Sequence, residues 1–307
     1  MRIGITGIGS TADRMVEQAR RAEADGFSSI WYPGAAGGGD PLPVMTLAGR
    51  ATSAIELATA VLPTYTCHPV LMANRTAATA AAIGAPGRLT LGVGPSHQVV
   101  IEDMLGMTYA TPGRETDEYV QILTALLRGE QVDHSGQEFR VKAGPVTLLD
   151  GAQIPVMVGA LGPRLLRVAG ALTAGTILWM GNAASIETHV APVIRKAAAD
   201  AGRPAPRIVA GLPVAVHDDV AQAREVAATV YAAYGTLPNY QRILAHGGIS
   251  SPAEAVIVGD ERSVAAQIRA LFEAGATDVW AAPFPVGDDK PASRARTRAL
   301  LNELARA

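Results

Sequence analysis

Two short segments carry the residue types of a ligand site. Gly92-Val93-Gly94-Pro95-Ser96-His97 offers glycines that let backbone approach a ligand closely. Ser96 and His97 add a hydroxyl and an imidazole that can hydrogen-bond a ligand or move a proton. Gly159-Ala160-Leu161-Gly162-Pro163-Arg164 has helix-start signals, with proline at a first turn and glycine before it. Exposed N–H groups and the helix dipole make such a start an anion site, which Arg164 can reinforce. A plain turn with Arg164 on a solvated face stays open. A third segment, Gly7-Ile8-Gly9-Ser10-Thr11-Ala12, has the spacing of a dinucleotide fingerprint. That chemistry needs a carboxylate at the end of the second strand. Trp31-Tyr32-Pro33-Gly34 supplies none, and Asp25 lies at the wrong end, so a glycine turn with Ser10 or Thr11 as helix cap is expected. The histidines at 68, 97, 134, 189, 217 and 246 lack metal-ligand spacing, so no metal is expected.

The elements that must hold these segments are short apolar runs alternating with helical patterns. Strands are expected at 2–6, 28–32, 55–62, 88–94, 155–160, 175–180, 207–216 and 278–284. Most are uninterrupted, as for parallel strands buried on both faces. Helices at 12–25, 69–84, 114–129, 185–202 and 261–275 each run into glycine, and another is expected near 290–306. Eight strand–helix units fit a closed (β/α)8 barrel, an α/β fold, with a doubly wound open sheet as the alternative. One domain over 1–307 follows, because no linker or composition shift divides the chain. Residues 95–113 and 235–258 are too long for ordinary loops, and 130–141 reads as a hairpin around Ser135-Gly136.

Composition narrows the class further. Of 307 residues, 49% are hydrophobic and 18% charged, which excludes a disordered chain. A net charge of −2 without a basic block argues against nucleic acid. The single cysteine, Cys67, excludes an internal disulfide, and its neighbour His68 gives no sign of a catalytic pair. No apolar run suggests a membrane span or signal peptide, so a cytoplasmic protein is expected. Aromatics are only 5%, beside 32 glycines, so a pocket for a flat ring is expected to be walled by small residues and backbone.

Several segments, in their order, resemble one family. They are RIGI and AEADGFSSIWYP, then GRATSAIELATAVLPTYTCHP at 49–69 and GRLTLGVGPSH at 87–97. RETDEYVQILTALLRGEQVDHSGQEFRV from 114 and IPVMVGALGPRLLRVAGALTAGTILW at 154–179 complete the set. The chain is similar over nearly its whole length to the luciferase-like flavin and deazaflavin oxidoreductases, most of all to the branch that uses coenzyme F420. The resemblance implies a (β/α)8 TIM-type barrel with loop insertions and the cofactor at the C-terminal strand ends. It implies a bulge with a non-prolyl cis peptide at Ala60-Val61-Leu62, where a small Ala60 leaves room for a tricyclic ring. Gly92, Gly94, Ser96 and His97 would then line the ribityl and substrate side. Gly159, Ala160, Leu161, Gly162, Pro163 and Arg164 would hold the phosphate. His97 becomes the candidate for proton transfer, and Asp40, Tyr65 and Trp179 the substrate pocket.

The activity implied is hydride transfer between the deazaflavin C5 and a small organic molecule. The alternatives are an FMN-dependent monooxygenase on the same barrel and a non-catalytic deazaflavin-binding protein. Three features depart from the family. The acid–histidine pair usual after the second strand is replaced by Pro33-Gly34 and a glycine-rich run to Asp40. Thr176 stands where an acidic residue is common, and Lys142, Lys196 and Lys290 are not at strand ends. A homodimer is expected by the same resemblance, with the weakly charged helices at 41–53 and 69–84 as interface elements.

Overall fold

The computed structural model describes residues 1–34, 39–85, 87–147 and 153–307. The strands, in chain order, are β1 (Ile3–Thr6), β2 (Ser29–Tyr32), β3 (Glu56–Thr59), β4 (Leu62–Pro63), β5 (Leu89–Gly94), β6 (Val132–Ser135) and β7 (Arg140–Ala143). They continue with β8 (Val156–Gly159), β9 (Gly175–Trp179), β10 (Arg207–Val216), β11 (Ile257–Gly259) and β12 (Asp278–Pro283). Eight of them pair in parallel in the order β1-β2-β3-β5-β8-β9-β10-β12, and β12 returns to β1. The sheet therefore closes into a (β/α)8 barrel, and the open-sheet alternative is set aside. All eight expected strands are barrel strands. Their continuous apolar runs arise because each is covered by side chains within the barrel on one face and by helices on the other.

Helices α1 (Ala12–Ala24), α2 (Pro41–Ala51), α3 (Pro69–Ile83) and α4 (Pro112–Leu127) cover the first half. Helices α5 (Pro163–Leu172), α6 (Ala183–Ser185), α7 (Ala191–Asp200) and α8 (Val220–Val230) follow, then α9 (Pro238–His246), α10 (Pro252–Ala255), α11 (Glu261–Glu273) and α12 (Lys290–Arg306). Sequence-local signals set their ends. Thr11 accepts from the Arg14 N–H and Asp260 from the Ser263 N–H. Gly84 closes α3 at φ +71°, a left-handed conformation that glycine adopts without a Cβ clash.

The expected strand 55–62 is broken in two. β3 stops at Thr59, the Ala60–Val61 peptide is cis, and β4 resumes pairing with β5 through Leu62 and Val93. The two long stretches also contain more structure than loops. A π-helical turn, Val99–Met104, occupies the first, and a 3₁₀ turn, Ala232–Thr236, leads through α9 and α10 to β11 in the second. The hairpin β6–β7 forms as expected and is tied to α4 by Glu118, which accepts from the N–H groups of Gln137, Glu138 and Phe139 at 2.9–3.0 Å.

An ionic plug seals the N-terminal end of the barrel. Arg207, at the start of β10, donates to Glu56 at 2.8 Å and to Asp278 at 2.7 Å. Arg2 reaches the same two carboxylates. Burial alone would raise the Asp278 carboxyl, but Arg207, Thr277 and Arg2 hold it below its ordinary value. Function is thereby left to the opposite end.

Candidate active site

At the C-terminal strand ends lies a cavity of about 1400 Å³. Thr6, Gly94, Gly159, Trp179 and Pro283, the last residues of β1, β5, β8, β9 and β12, all open onto it. This is the face on which barrel enzymes build their sites.

One wall is the bulge. Ala60 and Val61 line the cavity, and Val61 lies beside Gly94 and Gly159. A Cβ built on Gly94 would stand 3.0 Å from Val61 Cγ2, and one on Gly159 3.2 Å from it. The glycines let the wall stay flat. Gly92 has a different task from the expected one. A Cβ there would stand 2.1 Å from the Thr59 carbonyl, and the Thr59 hydroxyl bridges the Gly92 N–H and C=O at 2.8 Å each. Gly92 thus lets the bulge close onto β5 and does not line the cavity. Leu62 and Ala160 are likewise buried behind the wall. Thr176 donates to the Val158 carbonyl at 2.9 Å, so it steadies the end of β8.

A second wall is the start of α5. Gly162 caps it with no side-chain hydrogen bond, and a Cβ on Gly162 would meet nothing within 4 Å. The first N–H groups of this ten-residue helix therefore have open space before them. Leu161, Pro163, Arg164 and Arg167 line the cavity here. His189 Nε2 stands 2.9 Å from the Leu161 carbonyl and fixes the turn from behind. Among the described residues, the cavity lining holds five arginines and no Asp, Glu or Lys. That donor set and the open glycine turn fit a phosphate-bearing, multiply anionic group.

The loop after β5 carries Ser96 and His97 into the cavity. Ser96 has φ +63°, and the Tyr109 hydroxyl donates to its carbonyl at 3.0 Å, so Tyr109 holds the turn. Burial lowers the His97 pKa, which leaves the imidazole neutral near pH 7.

The three expected substrate residues separate. Trp179 lines the cavity. Asp40 does not: it caps α2 through the Leu42 N–H at 3.1 Å and pairs with Arg75, which draws it to the outside of the barrel. Tyr65 packs on Tyr109, ring centroids 5.3 Å apart, also outside the lining. Residues 35–38 of the preceding glycine-rich run lie outside the described residues.

Sequence reasoning missed Tyr231, Tyr234 and Tyr240, which with Trp179 and Trp280 make an aromatic wall. The expectation of a pocket walled largely by small residues and backbone is therefore corrected: that description holds for the bulge side alone. The length of 235–258 was the one signal available for Tyr240. Glu115 was missed too. It is buried, accepts from Thr64 Oγ1 at 2.7 Å, and is pushed up to about 7 mainly by that burial. The dinucleotide-like turn is a packing feature. Gly7 fits against the Tyr32 ring, where a Cβ would stand at 2.6 Å, and Gln18 latches Ile8.

Among the proteins that resemble this chain are two sequence relatives and one solved structure. A 5,10-methylenetetrahydromethanopterin reductase of Methanolobus tindarius is 26% identical over 248 residues, 80% of this chain and 74% of that protein. An F420-dependent glucose-6-phosphate dehydrogenase of Nakamurella multipartita is 28% identical over 260 residues, covering 80% and 75%. The structure of the coenzyme F420 dependent tetrahydromethanopterin reductase from Methanopyrus kandleri superposes with a TM-score of 0.80 at 22% identity, over 99% of this chain and 97% of that one. Residues 4–278 match the luciferase-like monooxygenase family, and the chain belongs to it.

Proposed function

We propose that the protein is a coenzyme F420-dependent oxidoreductase that moves a hydride between the deazaflavin C5 and an organic substrate. The observation that carries this is one cavity in which a flat wall of Ala60, Val61, Gly94 and Gly159 stands beside the open start of α5 and its arginines. The first suits a planar ring and the second its phosphate. F420 is preferred to FMN because one sequence relative and the solved structure named above are F420-dependent enzymes.

When bound, the deazaflavin supplies two-electron hydride chemistry at C5. The chain's own residues position and shield that chemistry. Ala60 and Val61 would back one ring face, and a larger side chain at position 60 would take the ring's space. The first N–H groups of α5, with Arg164 and Arg167, would hold the phosphate. His97, neutral in its buried setting, takes the proton from a substrate hydroxyl in the oxidative direction through its unprotonated ring nitrogen.

The test is single-turnover bleaching of the reduced cofactor bound to the protein, against a panel of unsaturated carbonyl compounds. Oxidation by at least one of them, faster than the spontaneous rate, is expected. Silence across a broad panel, with the cofactor bound, favours a binding protein instead.

A homodimer is proposed across α2 and α3, which pack together and leave Leu47 and Leu71 51% and 58% exposed. Sedimentation velocity of the wild type and of Leu47→Glu/Leu71→Glu checks it, with a monomer expected for the double variant.

A further inference from the structure

The chain is poor in aromatics, yet all three of its tryptophans form one run of contacting rings that ends at the cavity. Trp31 contacts Trp280 at 6.3 Å between centroids, and Trp280 lies against Trp179 at 4.9 Å with a 35° tilt. Trp179 meets Tyr234 at 6.1 Å, Tyr234 meets Tyr240 at 4.8 Å, and Tyr240 meets His97 at 5.7 Å. Two members have structural hydrogen bonds: Trp31 Nε1 donates to Ser29 at 2.8 Å and Trp280 Nε1 to Thr6 at 2.7 Å. The cavity-side tryptophan does not. Trp179 Nε1 is buried beside the Tyr234 hydroxyl but makes no hydrogen bond among the described residues. Tyr231, Tyr234 and Tyr240 line the cavity around it, with the Tyr234 hydroxyl next to the indole N–H. A buried donor without an acceptor is uncommon in a folded protein and points to an acceptor brought from outside.

We propose that this wall is the substrate subsite, and that it takes a neutral, planar, conjugated carbonyl compound whose oxygen lies between Trp179 Nε1 and the Tyr234 hydroxyl. The proposal rests on the oxidoreductase reading of the cavity and narrows its substrate class. The ring faces select a planar π system by offset or tilted stacking. The unspent Trp179 N–H is a donor only, so it selects an oxygen acceptor. Burial keeps the tyrosine hydroxyls protonated: Tyr231 is pushed up to about 12, and Tyr234 and Tyr240 are also raised. A polyol or sugar phosphate fits this wall poorly, because apolar ring faces do not replace the water its hydroxyls lose, the described lining holds no carboxylate to accept from them, and the arginines at the start of α5 are committed to the cofactor phosphate.

The reductive step balances as follows. A hydride from the reduced deazaflavin forms a new C–H bond at the carbonyl carbon or the conjugated β-carbon. The π pair moves onto the oxygen, and that oxygen takes a proton from solvent. The cofactor is oxidised by two electrons and the substrate reduced by two. Trp179 and Tyr234 donate to the oxygen as it gains charge, where such donors act most strongly.

The test uses the protein loaded with oxidised F420, with loading followed by the cofactor's own fluorescence. Chromone, cyclohexanone and glucose 6-phosphate are titrated by calorimetry, and tryptophan quenching is read in parallel. Chromone is expected to bind at least about tenfold more tightly than cyclohexanone and to quench, with no binding of glucose 6-phosphate. Tyr234→Phe is expected to weaken chromone about tenfold, and Trp179→Leu more, with F420 affinity unchanged in both. Equal binding of cyclohexanone, binding of glucose 6-phosphate, or chromone affinity unaltered by Trp179→Leu would overturn the proposal. Should F420 itself fail to bind, the oxidoreductase reading falls, while chromone titration of the cofactor-free protein still decides the subsite.

Discussion

Val61 and Gly94 share one surface at the mouth of the barrel: a Cβ on Gly94 would stand 3.0 Å from Val61 Cγ2. Only a residue without a Cβ at position 94 leaves the wall flat. Gly94→Ala is therefore expected to push Val61 into the ring's place. F420 affinity should fall about tenfold, equivalent to about 1.4 kcal/mol. The thermal midpoint should move by only a few degrees, because the site is open on its other side. Fluorescence titration and calorimetric melting read the two effects separately.

Arg164 is exposed at the start of α5 and is only 3.9 Å from Asp117, a loose pairing that leaves it available to a phosphate. Arg164→Gln is expected to weaken F420 binding by about tenfold at low salt, and by less at 0.5 M salt, where such a contact is screened. Titration of both proteins at two ionic strengths checks this. An effect of equal size at both salts would point to a packing role.

Glu115 couples pH to stability. Its folded pKa, about 7, lies above the ordinary value of 4.5. The folded state then binds more protons than the unfolded state between those limits. The stabilisation is complete below about pH 4.5 and is lost as pH rises through about 7. Glu115→Gln removes this dependence and keeps an acceptor for Thr64. The expected result is a flatter stability profile between pH 5 and 8, with the variant gaining on the order of 2 kcal/mol relative to wild type at pH 8. Urea unfolding at three pH values measures it.

Asp278 is 1% exposed and holds Arg207 and Arg2 at the sealed end. Asp278→Asn leaves Arg207 short of a charged partner, so a loss of about 3 kcal/mol in stability is expected. F420 affinity should not change, because the plug is at the opposite end from the cavity.

The barrel was legible because each of its eight strands is an apolar run long enough to be buried on both faces, and the helix ends carry their own caps. The bulge was not legible from its residues. Ala60-Val61 reads as ordinary strand, and its place came from resemblance to a family. The phosphate turn was legible because Gly162-Pro163 signals a helix start locally. The aromatic wall was not. Trp179 and Trp280 lie on β9 and β12, which become neighbours only through β10, and the tyrosines arrive from a separate helical insertion. Asp40 was misplaced for a similar reason: its partner Arg75 lies on α3, 35 residues away. The link between Thr64 and Glu115 spans 51 residues, and no local pattern announces it.

The most direct measurement of the central claim is a side-by-side equilibrium titration of the protein with F420 and with FMN, followed by fluorescence. The account predicts saturable F420 binding, weakened by Gly94→Ala and by Arg164→Gln, and FMN binding at least about tenfold weaker. Tight FMN binding with no F420 binding would contradict it.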